Sequence, residues 1–212
     1  MKKFKAFNTT LIVLLAVFII CISVAMTKIV GIMADNEVKR RFQNIYSAYT
    51  QALLRTVGQM NGDTGCYYST DRNVKNNFSE CDKFYTIFVS NLQLEKYCQE
   101  KALKGGCVPE YLEYTTKPEC FGFSRNMLNN YADAFVMGDS SNLIIYNEID
   151  KQRRPIFAVD ANGFAKPNQA GKDLFSMTIM RNKNGSYFFH SNVSYCLPVK
   201  KDGIHDLMDV YK

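Results

Sequence analysis

Leu11–Met26, LIVLLAVFIICISVAM, is the stretch that decides the architecture. It lies inside an uncharged run of 22 residues, Ala6 to Thr27, that passes into an amphipathic pattern without a breaker. At ~1.5 Å rise per residue a helix of that length covers the ~30 Å hydrocarbon core of a bilayer. Lys2, Lys3 and Lys5 precede the run and the first acid is Asp35. The positive-inside rule therefore places the N-terminus in the cytoplasm and everything after about Lys28 outside the cytoplasmic membrane. The same residues also meet the requirements of a cleaved secretory signal, with Ser23-Val24-Ala25 as a small-x-small triplet. Ile20 stands before Cys21, where a lipid-modified cysteine follows a small residue, so Cys21 reads as one apolar side chain of the span.

Beyond Asp35, Val38, Phe42, Ile45, Tyr49, Leu53 and Thr56 recur at spacings of three and four, which puts one stripe on one helix face. That stripe is expected to bury against a globular head. Asn61-Gly62 supplies the stop. Counted from Phe7, the helix is about fifty residues long, against ~11 for an ordinary globular helix. The chain then divides into a basic leader (1–8), a transmembrane half-helix (9–27), an amphipathic half-helix (28–60) and a head (61–212). Lys39-Arg40-Arg41, among Asp35 and Glu37, reads as a solvated face.

Cysteine usage agrees with export. Besides Cys21 there are six, Cys66, Cys81, Cys98, Cys107, Cys120 and Cys196, all in the part expected outside. Six cysteines in an oxidising compartment imply three bridges, with 15 connectivities open to sequence. The preferred pairs are Cys66 with Cys81, Cys98 with Cys107 across the Lys104-Gly105-Gly106 turn, and Cys120 with Cys196. Zinc would need a Cys-x-x-Cys or His-rich spacing, and the histidines are His190 and His205 alone. Of the 26 basic residues three are leader lysines, leaving 23 against 20 acids. That excess is too small to argue for nucleic acid.

A short helix is expected after Ser79, with Ser79 as its cap and Asp82 in the capping-box position, ending before about Gln93. Past Cys120 the pattern turns to strands: Ala134–Met137, Leu143–Tyr146, Ile156–Val159, Leu174–Met180 and Tyr187–Phe189. Gly138 to Asn142 and Asn184-Gly185 read as the turns. The fold class is α+β, a long helix packed on a small antiparallel sheet and stapled by disulfides.

The densest polar constellation runs from Asp160 to Asp173, DANGFAKPNQAGKD. Asp160, Asn162 and Asp173 offer oxygen ligands suited to calcium, on a chain that glycines allow to turn sharply. The loop is not an EF-hand, because its glycine falls too early and no terminal glutamate follows. The alternative is an Asx-rich turn whose side chains bond their own backbone. No nucleophile motif or phosphate loop is present, so an enzymatic role is not expected. His190 reads as a core or edge residue, and Glu148 with Asp150 as a solvated turn.

With this leader, helix and disulfide-bearing head, the chain resembles type IV pilins and the pseudopilins of type II secretion. Thr10-Leu11-Ile12-Val13-Leu14-Leu15 is similar to the family's Thr-Leu-Ile-Glu-Leu-Leu signature. Ile156 to Gly163, with Lys166-Pro167-Asn168, Gly171 and Asp173-Leu174-Phe175, is similar to a segment of many bacterial pilin-like minor proteins. The resemblance implies peptidase cleavage between Asn8 and Thr9, although the family has glycine at the Asn8 position. It also implies assembly with other pilin-like subunits through the N-terminal helix. Val13 stands where the family carries its glutamate, a departure reminiscent of minor subunits at a filament tip. The rival expectation is a secreted or signal-anchored binding module, calcium-binding through the loop above, that enters no filament.

Overall fold

The structure is a computed structural model that describes residues 2–114, 123–146, 148–149, 152–191 and 197. It divides into two compact units, Met1–Glu37 and Val38–Lys212. Helix α1, Lys2–Gln59, contributes to both. No proline occurs before Pro109 and only Gly31 and Gly58 fall inside the helix, so nothing in the sequence breaks it.

In the first unit every described large apolar side chain from Leu11 to Met33 is exposed. The window that makes α1 long and apolar enough to cross a membrane has a mean hydropathy of 2.7 and none of it is buried, unlike the core helix of a soluble domain. Ser23 and Thr27 turn their hydroxyls back onto the carbonyls of Ile19 and Val24, each at 2.9 Å. Internal satisfaction of that kind is what an apolar surrounding requires. The exposed apolar surface passes the expected boundary at Thr27 and continues through Ile29, Val30, Ile32 and Met33.

In the second unit the stripe of α1 is buried as its spacing predicts: Phe42, Ile45, Tyr49, Leu53 and Thr56, joined by Ala52. The helix ends where expected. Gly62 (φ 87°) donates to the Val57 carbonyl at 2.9 Å, a left-handed C-cap that glycine adopts without strain. Helix α2 (Cys81–Ser90) presents Phe84, Tyr85, Phe88 and Val89 to the same core. Its cap differs from expectation. Glu80 occupies the cap position without a side-chain bond, because the Ser79 hydroxyl is spent on Asn77 Oδ1 at 2.8 Å.

The remaining elements are β1 (Tyr68–Ser69), β2 (Leu94–Cys98), helix α3 (Arg125–Asn130), β3 (Asp133–Met137), β4 (Asn142–Ile145), β5 (Glu148–Ile149), β6 (Gln152–Arg153), β7 (Ile156–Asp160), β8 (Leu174–Arg181) and β9 (Tyr187–Ser191). The main sheet runs β1-β8-β7-β4-β3-β2, with β9 also on β8. All its pairings are antiparallel except β1 with β8, where Tyr68 faces Met180 and Ser69 faces Arg181 in parallel. The expected antiparallel sheet is thus a mixed one. Glu148 lies in a strand of the small β5–β6 hairpin rather than a bare turn, and Asp150 lies outside the described residues.

Both faces of the central strands are covered. Phe157, Val159, Leu143, Phe175 and Met177 meet α1 and α2 on one side. Ile156, Ala158, Ile144 and Leu174 meet Val108, Tyr111, Phe123 and Leu128 on the other. Double burial explains why β4 and β7 read as unbroken apolar runs rather than as alternation. Cys66 bonds Cys81, joining the entry to β1 to the start of α2, and Cys98 bonds Cys107 at the end of β2. Cys120 and Cys196 lie outside the described residues. Cys21 is an exposed free thiol.

Candidate functional site in the β7–β8 loop

The Asp160–Asp173 constellation connects β7 to β8 and turns both carboxylates inward. Asp160 has no exposed surface, nor has Asp173. Asp160 Oδ1 accepts the backbone N–H of Gly163 at 2.8 Å and of Asn162 at 3.2 Å, and Oδ2 accepts the Tyr111 hydroxyl at 3.0 Å. Asp173 accepts the N–H of Asn168 on Oδ2 and of Gln169 on Oδ1, both at 2.7 Å. The Ala161 N–H closes the base of the loop on the Asp173 carbonyl at 2.8 Å. Asn162 Nδ2 reaches the Lys166 carbonyl at 3.2 Å. Each aspartate therefore holds one end of the loop from within, as Asx-type turns do.

Gly163 is the position that only glycine tolerates. Its φ is +60°, and a Cβ there would stand 2.2 Å from the Ser140 carbonyl oxygen. That close approach sets the loop against the β3–β4 turn, where Asn142 is the strand partner of Asp160. Asn142 is fully buried, and its Oδ1 and Nδ2, like Asn162 Oδ1, have no hydrogen-bond partner among the described residues. The unspent bonding capacity around the loop sits on neutral amides, whereas all four carboxylate oxygens of Asp160 and Asp173 accept a donor.

Electrostatics follow from the burial. Desolvation, then the charge of Asp173, pushes the Asp160 carboxyl up to about 8, against the pull of Tyr111 and the two backbone N–H groups. Asp173 is also raised, by burial first, with the N–H groups of Gln169 and Asn168 opposing it. Burial raises the Tyr111 phenol well above its usual value, and the Asp160 charge adds to this.

Calcium takes six to eight oxygens and would have to displace these internal donors to reach the carboxylates. Among the described residues no three His, Cys, Asp or Glu side chains converge as a metal site. As described, the carboxylates of Asp160 and Asp173 accept donors of their own loop and of Tyr111.

Other expected positions are apart from this site. Asn8 and Thr9 are in the helical backbone of α1. His190 is exposed on β9, an edge strand, and its carbonyl accepts the Thr178 hydroxyl at 3.2 Å. Lys39, Arg40 and Arg41 are exposed or half-exposed on α1.

Two features had no signal in the sequence. Tyr111 lies 49 positions from the carboxylate it touches. The buried Asp133 on β3 pairs with Arg153 on β6 and also accepts the Glu100 N–H at 2.7 Å. Arg153 reaches Asp82 of α2 at 3.5 Å, so one guanidinium ties the small hairpin to both the helix and the sheet.

Compared with protein-family models, curated proteins and solved structures, the chain matches none.

Proposed function

We propose that the chain is a non-enzymatic, pilin-like minor subunit of a bacterial type IV pilus or type II secretion filament. The observation that carries the proposal is the division of α1 into two surfaces. Leu11 to Met33 exposes apolar side chains continuously, while Phe42 to Thr56 buries one stripe in the second unit. Lipid covers the first surface while the subunit resides in the membrane. On extraction, the apolar helices lower their free energy by packing against one another. A head-to-tail contact of that kind does not close, and it grows a helical fibre.

In this reading the N-terminus is cytoplasmic and the head lies outside the cytoplasmic membrane, where the Cys66–Cys81 and Cys98–Cys107 bridges persist. Cleavage falls between Asn8 and Thr9. Val13 lacks the charge that would pair with a preceding subunit's amino group, which suits a tip position.

The experiment is intact mass and N-terminal sequencing of the protein extracted from its native membrane without reductant. A chain starting at Thr9 supports pilin processing. A chain starting at Met26 sinks the filament reading in favour of a secreted binding module. An uncleaved chain found in sheared filaments keeps the subunit role and removes the processing step.

A further inference from the structure

Four Asn-x-Ser/Thr triplets occur in the chain, beginning at Asn8, Asn77, Asn184 and Asn192. In an exported protein such a triplet is the acceptor sequence for an N-linked saccharide, carried on a surface loop. The fold sorts the four. Asn8 lies in α1, on the cytoplasmic side in the reading proposed above, and Asn192 lies outside the described residues. Asn77 and Asn184 both belong to the second unit.

The two share a local geometry. The Ser186 N–H and hydroxyl donate to Asn184 Oδ1 at 3.0 and 2.8 Å, and the Ser79 N–H and hydroxyl donate to Asn77 Oδ1 at 3.1 and 2.8 Å. A backbone N–H can only donate, so the atom it meets is the amide oxygen and Nδ2 is the atom left without a bond among the described residues. Two donors on that oxygen stabilise the charge that develops there as Nδ2 gives up a proton, which makes the nitrogen a better nucleophile. What holds each triplet differs. Asn77 exchanges both backbone hydrogen bonds with Tyr67, at 2.8 and 3.1 Å. Its neighbour Phe78 packs against Tyr68 at 5.1 Å and under the Arg154 guanidinium at 4.4 Å. Residues 182–186 form the tip that joins β8 to β9 and, among the described residues, hydrogen-bond only to one another. The Asn182 N–H meets the Ser186 carbonyl at 2.9 Å, the Gly185 N–H meets the Asn182 carbonyl at 3.0 Å, and Asn182 Nδ2 meets the Ser186 hydroxyl at 2.6 Å. Asn184 and Ser186 are both exposed.

A transferase takes the acceptor triplet into its own cleft. Drawing out Asn77 breaks a strand bridge and an aromatic stack, whereas an exposed, self-bonded tip opens at low free energy. We propose that Asn184 is the acceptor of an N-linked saccharide. The donor is a saccharide carried on a polyprenyl diphosphate and presented by a membrane transferase on the outer side. Asn184 Nδ2 bonds the anomeric carbon and the bond from that carbon to the diphosphate oxygen breaks. The lipid diphosphate leaves with the electron pair, and the Nδ2 proton passes to a base of the transferase. The inference rests on the proposed reading that the head lies outside the cytoplasmic membrane, and is independent of filament membership.

The test is peptide mapping by mass spectrometry on the full chain extracted from its native membrane without reductant, with electron-transfer fragmentation to separate Asn184 from Asn192. The expected result is an added saccharide mass on Asn184 and a bare Asn77. In the same host, Ser186→Ala should lose the mass at position 184 completely, and Ser186→Thr should keep it, because a threonine hydroxyl completes the triplet as serine does. Ser186 is exposed at the hairpin tip, so neither change touches the core. An unmodified Asn184 in a chain whose Cys66–Cys81 and Cys98–Cys107 bridges are formed marks an exported head and overturns the inference alone. An unmodified Asn184 with those four cysteines as free thiols overturns it together with the reading of export. A saccharide found only on Asn77, Asn192 or a hydroxyl, or one kept at position 184 in the Ser186→Ala chain, overturns it as well.

Discussion

Raising the pH through neutrality should destabilise the head, and Asp160→Asn should abolish most of that effect. The folded Asp160 carboxyl titrates near pH 8, held up mainly by desolvation and then by Asp173, whereas an unfolded aspartate titrates at ~3.9. Between those values the folded state binds a proton that the unfolded state has lost. Stability then falls as pH rises, by at most about 1.4 kcal/mol per pH unit for one proton, and levels off above the folded value. From about pH 5 to about pH 7 this amounts to a loss of about 2–3 kcal/mol as an upper bound. Asp173 is raised too and contributes with the same sign. The Tyr111 phenol is raised as well and stays neutral throughout that window. An asparagine at 160 keeps an oxygen for the Asn162 and Gly163 N–H groups and offers Nδ2–H to the Tyr111 oxygen, so the loop retains its bonds without the titration. The assay is guanidinium unfolding of the chain in detergent across that pH range, followed by near-ultraviolet circular dichroism of the tyrosines. A wild type whose stability is flat or rises with pH, or an Asp160→Asn chain with the wild-type slope, would refute the reasoning.

Three further outcomes follow from the packing. Phe157→Ala removes a fully buried ring in contact with Tyr49, Tyr85, Phe88 and Phe189, and should cost about 3–5 kcal/mol in denaturant unfolding. Replacing Cys66 and Cys81 together by serine opens a 15-residue loop and should cost about 3 kcal/mol, measured as a lowered unfolding midpoint that reductant does not lower further through this pair. Gly163→Ala places a methyl group against the Ser140 carbonyl at a positive φ. It should destabilise by about 1–3 kcal/mol and loosen the loop, seen as faster amide exchange at Gly163's neighbours.

The parts of this fold written locally are the ones the sequence made legible. The amphipathic half of α1 was readable because its period is carried by six side chains that all face one core. β3, β4, β7, β8 and β9 were readable because each is a short apolar run closed by Gly, Asn or Ser turns. β2 was not, because four of its five residues are exposed and no alternation marks it. Its place is set by pairing with β3, across a register shift between Leu94 and Lys96, and by the Cys98–Cys107 bridge. The parallel β1–β8 pairing joins residues more than a hundred positions apart, and nothing in a two-residue strand announces it. The cap of α2 falls at Glu80 and not at Ser79 for a related reason: the Ser79 hydroxyl has a competing acceptor in Asn77 Oδ1.

The β7–β8 loop shows where local legibility stops. Its Asp, Asn, Gly and Pro residues guarantee a tight polar turn, yet the same composition serves a cation held by outward carbonyls and carboxylates or a turn held by inward carboxylates. What decides between them is burial. Tyr111, positioned by the second face of the sheet together with Phe123 and Leu174, covers Asp160 and supplies a hydroxyl to it. Leu112 then donates to the Asn168 carbonyl at 3.0 Å, fixing the covering segment to the loop itself. A carboxylate under such a cover takes protons and N–H donors because these are the partners within reach. The site's character is therefore a property of the segment around Tyr111, far away in sequence, as much as of the aspartates that made it conspicuous.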